Sequence, residues 1–367
     1  MKRYIHLLLH NELKFNSRIV SLINDPENKF KSNEHLFITP YLKVYEALKC
    51  YSNVEYDDTF TSGNEDLLVR YDYEYINKYG ELCNWLFIHR ICSLKNGLKI
   101  KKSILPKIIW RTWGGDVGYY RYRKGEPIKN LIKKYYNALW GKRIRKFKAI
   151  GIANIVDLLD LKKKFNVNTE KLYRLPYLLK ENIYTLKITD IIKSDKTINI
   201  LVGHSGYSND NHLEIIDKLK CFSEKSMRVF FILSYGELAY IKQVKTAAVA
   251  KLGDKAIFIE KFMPYDEYVN FLAKMDVAIF DGKDSYALGN ISVLLFLKKK
   301  FFLNHDSIIR EAFDFEKLPY LLTSDIDSMS FEEFSKNISY DNKNSSMLPI
   351  TYEDGIVLWK KLLDFLG

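Results

Sequence analysis

Residues 198–212, Ile-Asn-Ile-Leu-Val-Gly-His-Ser-Gly-Tyr-Ser-Asn-Asp-Asn-His, run from an apolar, β-branched segment into a loop of small and polar residues. A short apolar run closed by turn residues reads as a buried strand. The loop after it reads as the turn feeding a helix over about 211–222. The cadence repeats downstream. Runs at 229–233, 256–259 and 277–280 are each followed by an amphipathic stretch, at about 237–250, 264–273 and 289–297, and a run at 301–303 closes the series. Strands alternating with helices in this way are joined by right-handed crossovers into a parallel, doubly wound α/β sheet.

The upstream half repeats the pattern less regularly. Strands are expected at 5–9, 35–38, 85–89, 108–110 and 149–153, with helices near 16–24, 41–50 and 128–148. A chain of 367 residues is long enough for two cores. The expected division is a Rossmann-like domain over 1–185, a second over 186–350, and a linker within 180–196. A closing amphipathic helix at 351–367 carries Ile356, Trp359, Leu362, Leu363 and Leu366 at helical spacing and docks on the first domain.

Doubly wound sheets bind ligands at the carboxyl ends of their strands, where helix N-termini point N–H groups at the crevice. Four loops of the second domain qualify. Gly203, His204, Ser205, Gly206, Ser208 and Asn209 suit an anion, the glycines allowing close approach and the polar residues donating; the same residues also suit a plain capped turn. Tyr235 and Glu237 follow the second strand, Glu237 fitting either a ribose acceptor or a first-turn acid. Lys261, Phe262, Met263 and Tyr265 suit a base. Asp281, Ser285, Gly289 and Asn290 lead into a helix start suited to a diphosphate. The first loop is neither a dinucleotide fingerprint nor a Walker loop.

In the first domain, Trp110, Arg111, Trp113, Gly115 and Asp116 lie after an apolar strand. The tryptophans offer flat faces for a sugar, and Asp116 is either a general base kept ionised by its basic surroundings or a partner of Arg111 that caps the turn. The Asp325–Asp327 pair reads as a structural turn rather than a metal site, because Ser324 before it looks like a helix cap. Seven histidines show no metal-ligand spacing. Four cysteines form no close pair, which fits a reducing compartment. The start of the chain is basic, but its apolar run is broken by His6 and His10 and lacks the mark of a cleaved leader.

The formal charge of +12 is unevenly placed. Residues 1–150 hold 28 Lys/Arg against 15 Asp/Glu, and residues 95–148 hold 17 basic residues against Asp116 and Glu126 alone. Such a field draws polyanions, whether nucleic acid, phosphorylated substrates or an anionic membrane. The segment 133–148 mixes cations with aromatics, as a helix lying at a membrane surface does, so Lys142, Arg143, Arg145, Lys146 and Lys148 are expected to face lipid.

The run from Ile200 to His212, the segment Tyr235–Tyr240, residues 262–275 and Leu288–Ser292 resemble glycosyltransferase family 56, the bacterial 4-acetamido-4,6-dideoxygalactosyltransferases, as does the Trp110–Asp116 segment. His204 stands where that family usually has Asn, and Tyr235-Gly236 replaces a longer proline-asparagine stretch. The resemblance implies a GT-B fold: two Rossmann-like domains facing across a cleft, the N-terminal one binding acceptor and the C-terminal one holding a dTDP-sugar. It also implies transfer of a deoxyamino sugar to a polyprenyl-diphosphate-linked saccharide in surface polysaccharide (O-antigen or common antigen) synthesis, at the cytoplasmic face of the bacterial inner membrane. No divalent metal is expected to be essential. Donor-binding residues would be Gly203–Gly206, Ser208, Asn209, Tyr235, Glu237, Lys261–Met263, Tyr265, Asp281, Ser285, Gly289 and Asn290. Acceptor-binding residues would be Trp110, Arg111, Trp113 and Gly115, with Asp116 as base. The alternatives are a nucleic-acid-binding protein, against which no recognition motif is present, and a sugar-nucleotide epimerase or hydrolase of similar fold.

Overall fold

The computed structural model describes residues 3–62, 68–91, 94–113, 115–118, 127–178, 180, 183–186, 188 and 196–367. Most of the linker expected at 180–196 therefore lies outside the described residues. The chain forms two compact units, Met1–Lys180 with Ile350–Gly367, and Glu181–Pro349.

The first unit is built on seven parallel strands: β1 (Tyr4–Leu8), β2 (His35–Thr39), β3 (Val54–Tyr56), β4 (Trp85–His89), β5 (Ile108–Arg111), β6 (Ala149–Ile152) and β7 (Leu172–Arg174), in the order β3-β2-β1-β4-β5-β6-β7. The second has six: β8 (Ile198–Val202), β9 (Met227–Ile232), β10 (Ala256–Ile259), β11 (Val277–Phe280), β12 (Lys300–Leu303) and β13 (Leu321–Leu322), in the order β10-β9-β8-β11-β12-β13. Both sheets thus carry the doubly wound Rossmann order. Their crossovers diverge between β1 and β4 in one unit and between β8 and β11 in the other, which is where such sheets bind ligands.

The inner strands are apolar on both faces because helices cover both. β1 is buried along its whole length, as are β6 and β11. Short polar side chains start several helices: Asn154 accepts from the Asp157 N–H, Ser307 from Ile309 and Thr351 from Asp354. β3, β7 and β13 are two- or three-residue edges, too short for a period to show in sequence. The structure also adds the amphipathic helices Leu68–Glu81, Ile155–Phe165 and Ile308–Glu316 to those expected.

The terminal helix Tyr352–Leu366 completes the first unit's core with Trp359, Leu362 and Leu366. Trp359 packs toward Phe87, and the Trp85 indole donates to the Leu366 carbonyl at 3.0 Å. Gly355 sits so close to Leu178 that a Cβ would lie 2.1 Å from its side chain. Across β2, β1 and β4 runs a row of fully buried histidines: His6 bonds His35 at 2.9 Å through one ring nitrogen and His89 at 3.1 Å through the other. Among the described residues no helix is long and apolar enough to cross a membrane.

Candidate functional site

The loop after β8 is organised by Asp210, a residue sequence reading passed over. Its carboxylate accepts four hydrogen bonds: the backbone N–H of His204 at 3.1 Å and of Ser205 at 2.9 Å, the Ser205 hydroxyl at 2.8 Å, and His204 Nδ1 at 2.8 Å. Burial works against ionisation of Asp210, but the bonds from His204 and Ser205 outweigh it and hold the carboxyl below its ordinary value. His204 is thereby fixed by Nδ1, so Nε2 is the ring nitrogen left for a ligand. Gly203 adopts a left-handed φ of 68° directly over the His212 ring, where a Cβ would lie 2.4 Å from Nε2. Gly206 pairs with Gly236 of the next strand-end loop, its N–H donating to the Tyr235 carbonyl at 2.6 Å. The two loops are therefore one structural piece.

This geometry separates the expected donor residues. Ser208 and Asn209 are exposed at the tip of the turn, and the helix His212–Leu219 takes no side-chain cap from either, its cap position being held by Asn211. Two expectations need correction. Ser205 is fully buried with its hydroxyl spent on Asp210, and Asp281 is buried as acceptor for Asn211, for Asn304 at 2.9 Å and for Thr323. Both hold the loops in shape and neither presents its polar group to a ligand.

Around His204 stand exposed aromatic rings. Tyr286 stacks on it at 6.1 Å with planes 16° apart, and Tyr235 meets it edge-on. Tyr235 in turn lies parallel to Phe262, centroids 5.9 Å apart and planes within 6°, while Phe262 is 77% exposed. An apolar ring left so far in solvent at a strand end is a surface for stacking a flat ligand. Lys261 and Tyr265 flank it in the open, with Met263 half-buried. Glu237 is exposed at the start of the helix Leu238–Leu252 and makes no capping bond. Asn290 lies near the Tyr268 hydroxyl. Gly289, at the start of the helix Leu288–Phe296, faces open space, and Ser285 is half-buried beside it.

The Asp325–Asp327 pair lies in a short 3₁₀ turn. Asp325 accepts from the Leu322 N–H, Asp327 pairs with Lys218, and the cap is supplied by Asp325 rather than Ser324.

In the first unit the loop after β5 differs from expectation. Asp116 is buried, and each of its oxygens accepts two hydrogen bonds: Oδ2 from the Trp110 indole at 3.0 Å and the Ile91 N–H at 3.3 Å, Oδ1 from the N–H groups of Trp113 at 2.9 Å and Val117 at 3.0 Å. Its lone-pair capacity is filled. Burial raises its pKa, against the pull of those four donors, so the basic surroundings do not set its state as supposed. Asp116 fixes the loop and has no lone pair left for a substrate proton. Trp110 is fully buried against Trp140 and Phe147, which removes it as a sugar platform. Trp113 stays half-buried and stacks on His10 at 4.5 Å; Gly115 begins the short helix at Gly115–Gly118, and Gly114 is outside the described residues. Arg111 is fully buried with its guanidinium 4.1 Å from the Tyr177 ring.

The basic helix Pro127–Ile144 also divides otherwise than expected. Its C-terminal half docks through Asn137, Trp140, Gly141 and Ile144, and the cations beyond are largely engaged. Arg143 donates to the Ile100 carbonyl, Arg145 to that of Phe165 at 2.7 Å, and Lys148 lies over the rings of Trp85 and Phe365. Lys142 and Lys146 remain exposed. The solvent-facing apolar stripe is in the first half: Ile128, Leu131, Ile132 and Tyr135, at 76, 69, 52 and 63% exposure. A crossover helix runs antiparallel to its strands, so this half lies toward their carboxyl ends.

The chain is similar in structure to a sucrose-phosphate synthase from Thermosynechococcus elongatus at a TM-score of 0.67 and 8% identity, covering 100% of this chain and 99% of that one. It is similar to a glycosyltransferase from Rickettsia africae at 0.58 and 12%, covering 100% and 98%. It is also similar to the Anabaena protein HepE, solved with UDP and glucose, at 0.57 and 10%, covering 100% and 99%. These likenesses establish a two-domain GT-B fold. The sequence profile of the family described as 4-alpha-L-fucosyltransferase, glycosyl transferase group 56, matches residues 85–365, so the chain belongs to that family and is a glycosyltransferase.

Proposed function

We propose that this enzyme transfers a 4-acetamido-4,6-dideoxyhexose or a related deoxyamino sugar from a dTDP-linked donor to a polyprenyl-diphosphate-linked saccharide during synthesis of a bacterial surface polysaccharide. The observation that carries the donor half is the aromatic shelf of Tyr235 and Phe262 beside His204 at the carboxyl ends of β8 and β9. A thymine ring stacks on such a shelf, and Glu237 stands exposed on the adjoining loop to accept from a ribose hydroxyl. The N–H groups of Gly203 to Gly206 are taken up within the fold, so the N–H groups for a diphosphate come from the helix start at Gly289 and the exposed end of the loop at Ser208 and Asn209, which offset leaving-group charge without an obligatory divalent cation. That the fold relative from Anabaena holds UDP and glucose supports a nucleoside-diphosphate sugar as donor.

A thermal-shift series with dTDP, UDP, GDP and CMP in EDTA tests this reading. dTDP is expected to raise the melting temperature most, since a ligand at 100 times its Kd stabilises by about 2.7 kcal/mol. Phe262→Ala, at an exposed site, is expected to remove most of that rise without lowering the melting temperature of the free protein. A larger rise with GDP or CMP, or dependence on Mg²⁺, would overturn the donor assignment or the metal independence.

The acceptor half places the enzyme peripherally on the anionic cytoplasmic face of the inner membrane. Its support is the Ile128–Tyr135 stripe, which sits within a strongly basic segment and on the half of its helix nearer the strand carboxyl ends. Leu131→Asp is expected to reduce sedimentation with phosphatidylglycerol-containing vesicles at least tenfold, since burying one such side chain is worth about 1.5–3 kcal/mol. Reversing Lys142 and Lys146 is expected to matter less. Unchanged sedimentation of Leu131→Asp would remove the stripe from the membrane contact.

A further inference from the structure

Three neighbouring strands of the first unit end in basic side chains, two of which have hydrogen-bonding capacity left unfilled. His10 lies two residues beyond β1, Arg90 directly follows β4, and Arg111 ends β5. Both ring nitrogens of His10, the Nε and Nη2 of Arg111 and the hydroxyl of Tyr177 are buried with no hydrogen-bond partner. His10 and Arg111 are themselves fully buried. Buried polar groups are nearly always paired, and leaving one unpaired costs about 1–3 kcal/mol, so three such side chains in one place point to a missing partner.

The groups are neighbours. Trp113 is sandwiched, with His10 stacked at 4.5 Å and the Arg90 guanidinium 5.0 Å from its ring, while Phe15 packs against both Trp113 and Tyr177. Arg111 lies over Tyr177 at 4.1 Å. Arg90 holds a left-handed backbone, φ 72°, unusual for a residue with a side chain and kept where surrounding structure imposes it. The nearby acids do not neutralise the cluster. Asp116 is saturated by its four donors, and Asp157, which burial pushes up to about 6, offsets only part of the Arg111 charge. The field at His10 is positive: burial first, then Arg90 and Arg111, lower its pKa to about 3.

We propose that His10, Arg90, Arg111 and Tyr177 form a subsite for a phosphate anion at the carboxyl ends of β1, β4 and β5, and that the anion is the diphosphate of the acceptor. The identification with the acceptor rests on the function proposed above; the anion site itself does not. A diphosphate would supply acceptors to the guanidinium and hydroxyl groups and reverse the field at His10.

The test follows the imidazole resonances by NMR, the seven histidines being few enough to assign by substitution. Inorganic diphosphate, and in a second arm farnesyl diphosphate, are titrated with and without saturating dTDP. Inorganic diphosphate is expected to shift the His10 resonances and raise its pKa even with dTDP present. Arg90→Asn, in which Asn tolerates the left-handed backbone, is expected to weaken binding at least tenfold with an unchanged melting temperature. His10→Phe keeps the stacking on Trp113 while removing two unpaired nitrogens. It is expected to melt higher than the parent yet bind diphosphate at least tenfold more weakly, a combination a purely structural histidine would not give. Tighter binding of farnesyl diphosphate than of inorganic diphosphate identifies the acceptor as the source; equal affinity overturns that identification. A His10 resonance that diphosphate leaves in place, or an Arg90→Asn protein that binds as the parent does, would overturn the site. Failure of dTDP to bind while His10 still responds would instead overturn the donor reading alone.

Discussion

Replacing Asp210 by alanine is expected to cost roughly 2–4 kcal/mol of stability in the second unit, to weaken dTDP binding about tenfold and to lower transfer about a hundredfold. The reason is the number of groups one carboxylate satisfies. Two N–H groups, one hydroxyl and one imidazole converge on it, Ser205 is fully buried, and the carboxyl is held below its ordinary value. Bonds to a charged acceptor are worth about 1.5–3 kcal/mol, and donors left buried and unpaired cost more than the lost bonds alone. Without the carboxylate, the loop loses what fixes the tilt of His204 against Tyr286 and Tyr235. Asp210→Asn keeps one accepting oxygen and turns an amide against the remaining donors, so it is expected to fall between the two. Urea unfolding, dTDP titration and turnover are the measurements. An alanine variant with the parent's unfolding midpoint and dTDP affinity would show that glycine geometry alone holds the loop.

Acid is expected to unfold this protein well above the pH at which carboxylates are usually protonated. Burial, joined by Arg90 and Arg111, lowers His10 to about 3; burial and His204, against the opposing pull of Asp210, lower His212 to about 4. Their folded values lie below the unfolded value near 6.5. The stability they contribute is therefore present above that value and is lost as pH falls, because the unfolded chain takes up protons that the folded chain refuses. At pH 5 each costs about 2 kcal/mol, against a total domain stability of about 5–15 kcal/mol. His6 and His89, depressed mainly by burial, act in the same direction. Asp157 acts oppositely, since burial raises it to about 6 and the folded state gains as pH falls through that value. The urea midpoint is expected to drop steeply between pH 7 and pH 5, in both units because His10 and His212 lie in different ones. A midpoint independent of pH over that range would mean that these rings accept protons in place.

The legible part of the fold was the second unit, and the reason is local. β10 and β11 are fully apolar runs bounded by turn residues, and β8 is broken only by Asn199, so their ends follow from composition alone. Short edges such as β13 carry no such pattern; two leucines become a strand only because β12 is beside them. The same limit governed the site. Glycines and aromatics of the strand-end loops are visible in sequence because turn geometry and exposure demand those residue types. Asp210 could have been found as the one acid within the Gly203–Asn211 loop, close enough to reach its own backbone N–H groups. His10 and Arg90 carried no signal, being eighty residues apart and unremarkable where they stand.

The sequence by itself determined that there are two doubly wound units, which ends of their strands hold loops fit for ligands, and where the positive charge collects, because apolar periodicity, turn chemistry and composition are local quantities. The tertiary structure alone decided which of those polar groups are still open to a ligand. Asp116, Ser205 and Asp281 have their hydrogen-bonding capacity filled by neighbours brought from other segments, Arg143, Arg145 and Lys148 are drawn into packing, and His10 and Arg111 are left without partners. Hydrogen-bond saturation depends on what the fold places within about 3 Å of an atom, and that distance cannot be read along the chain.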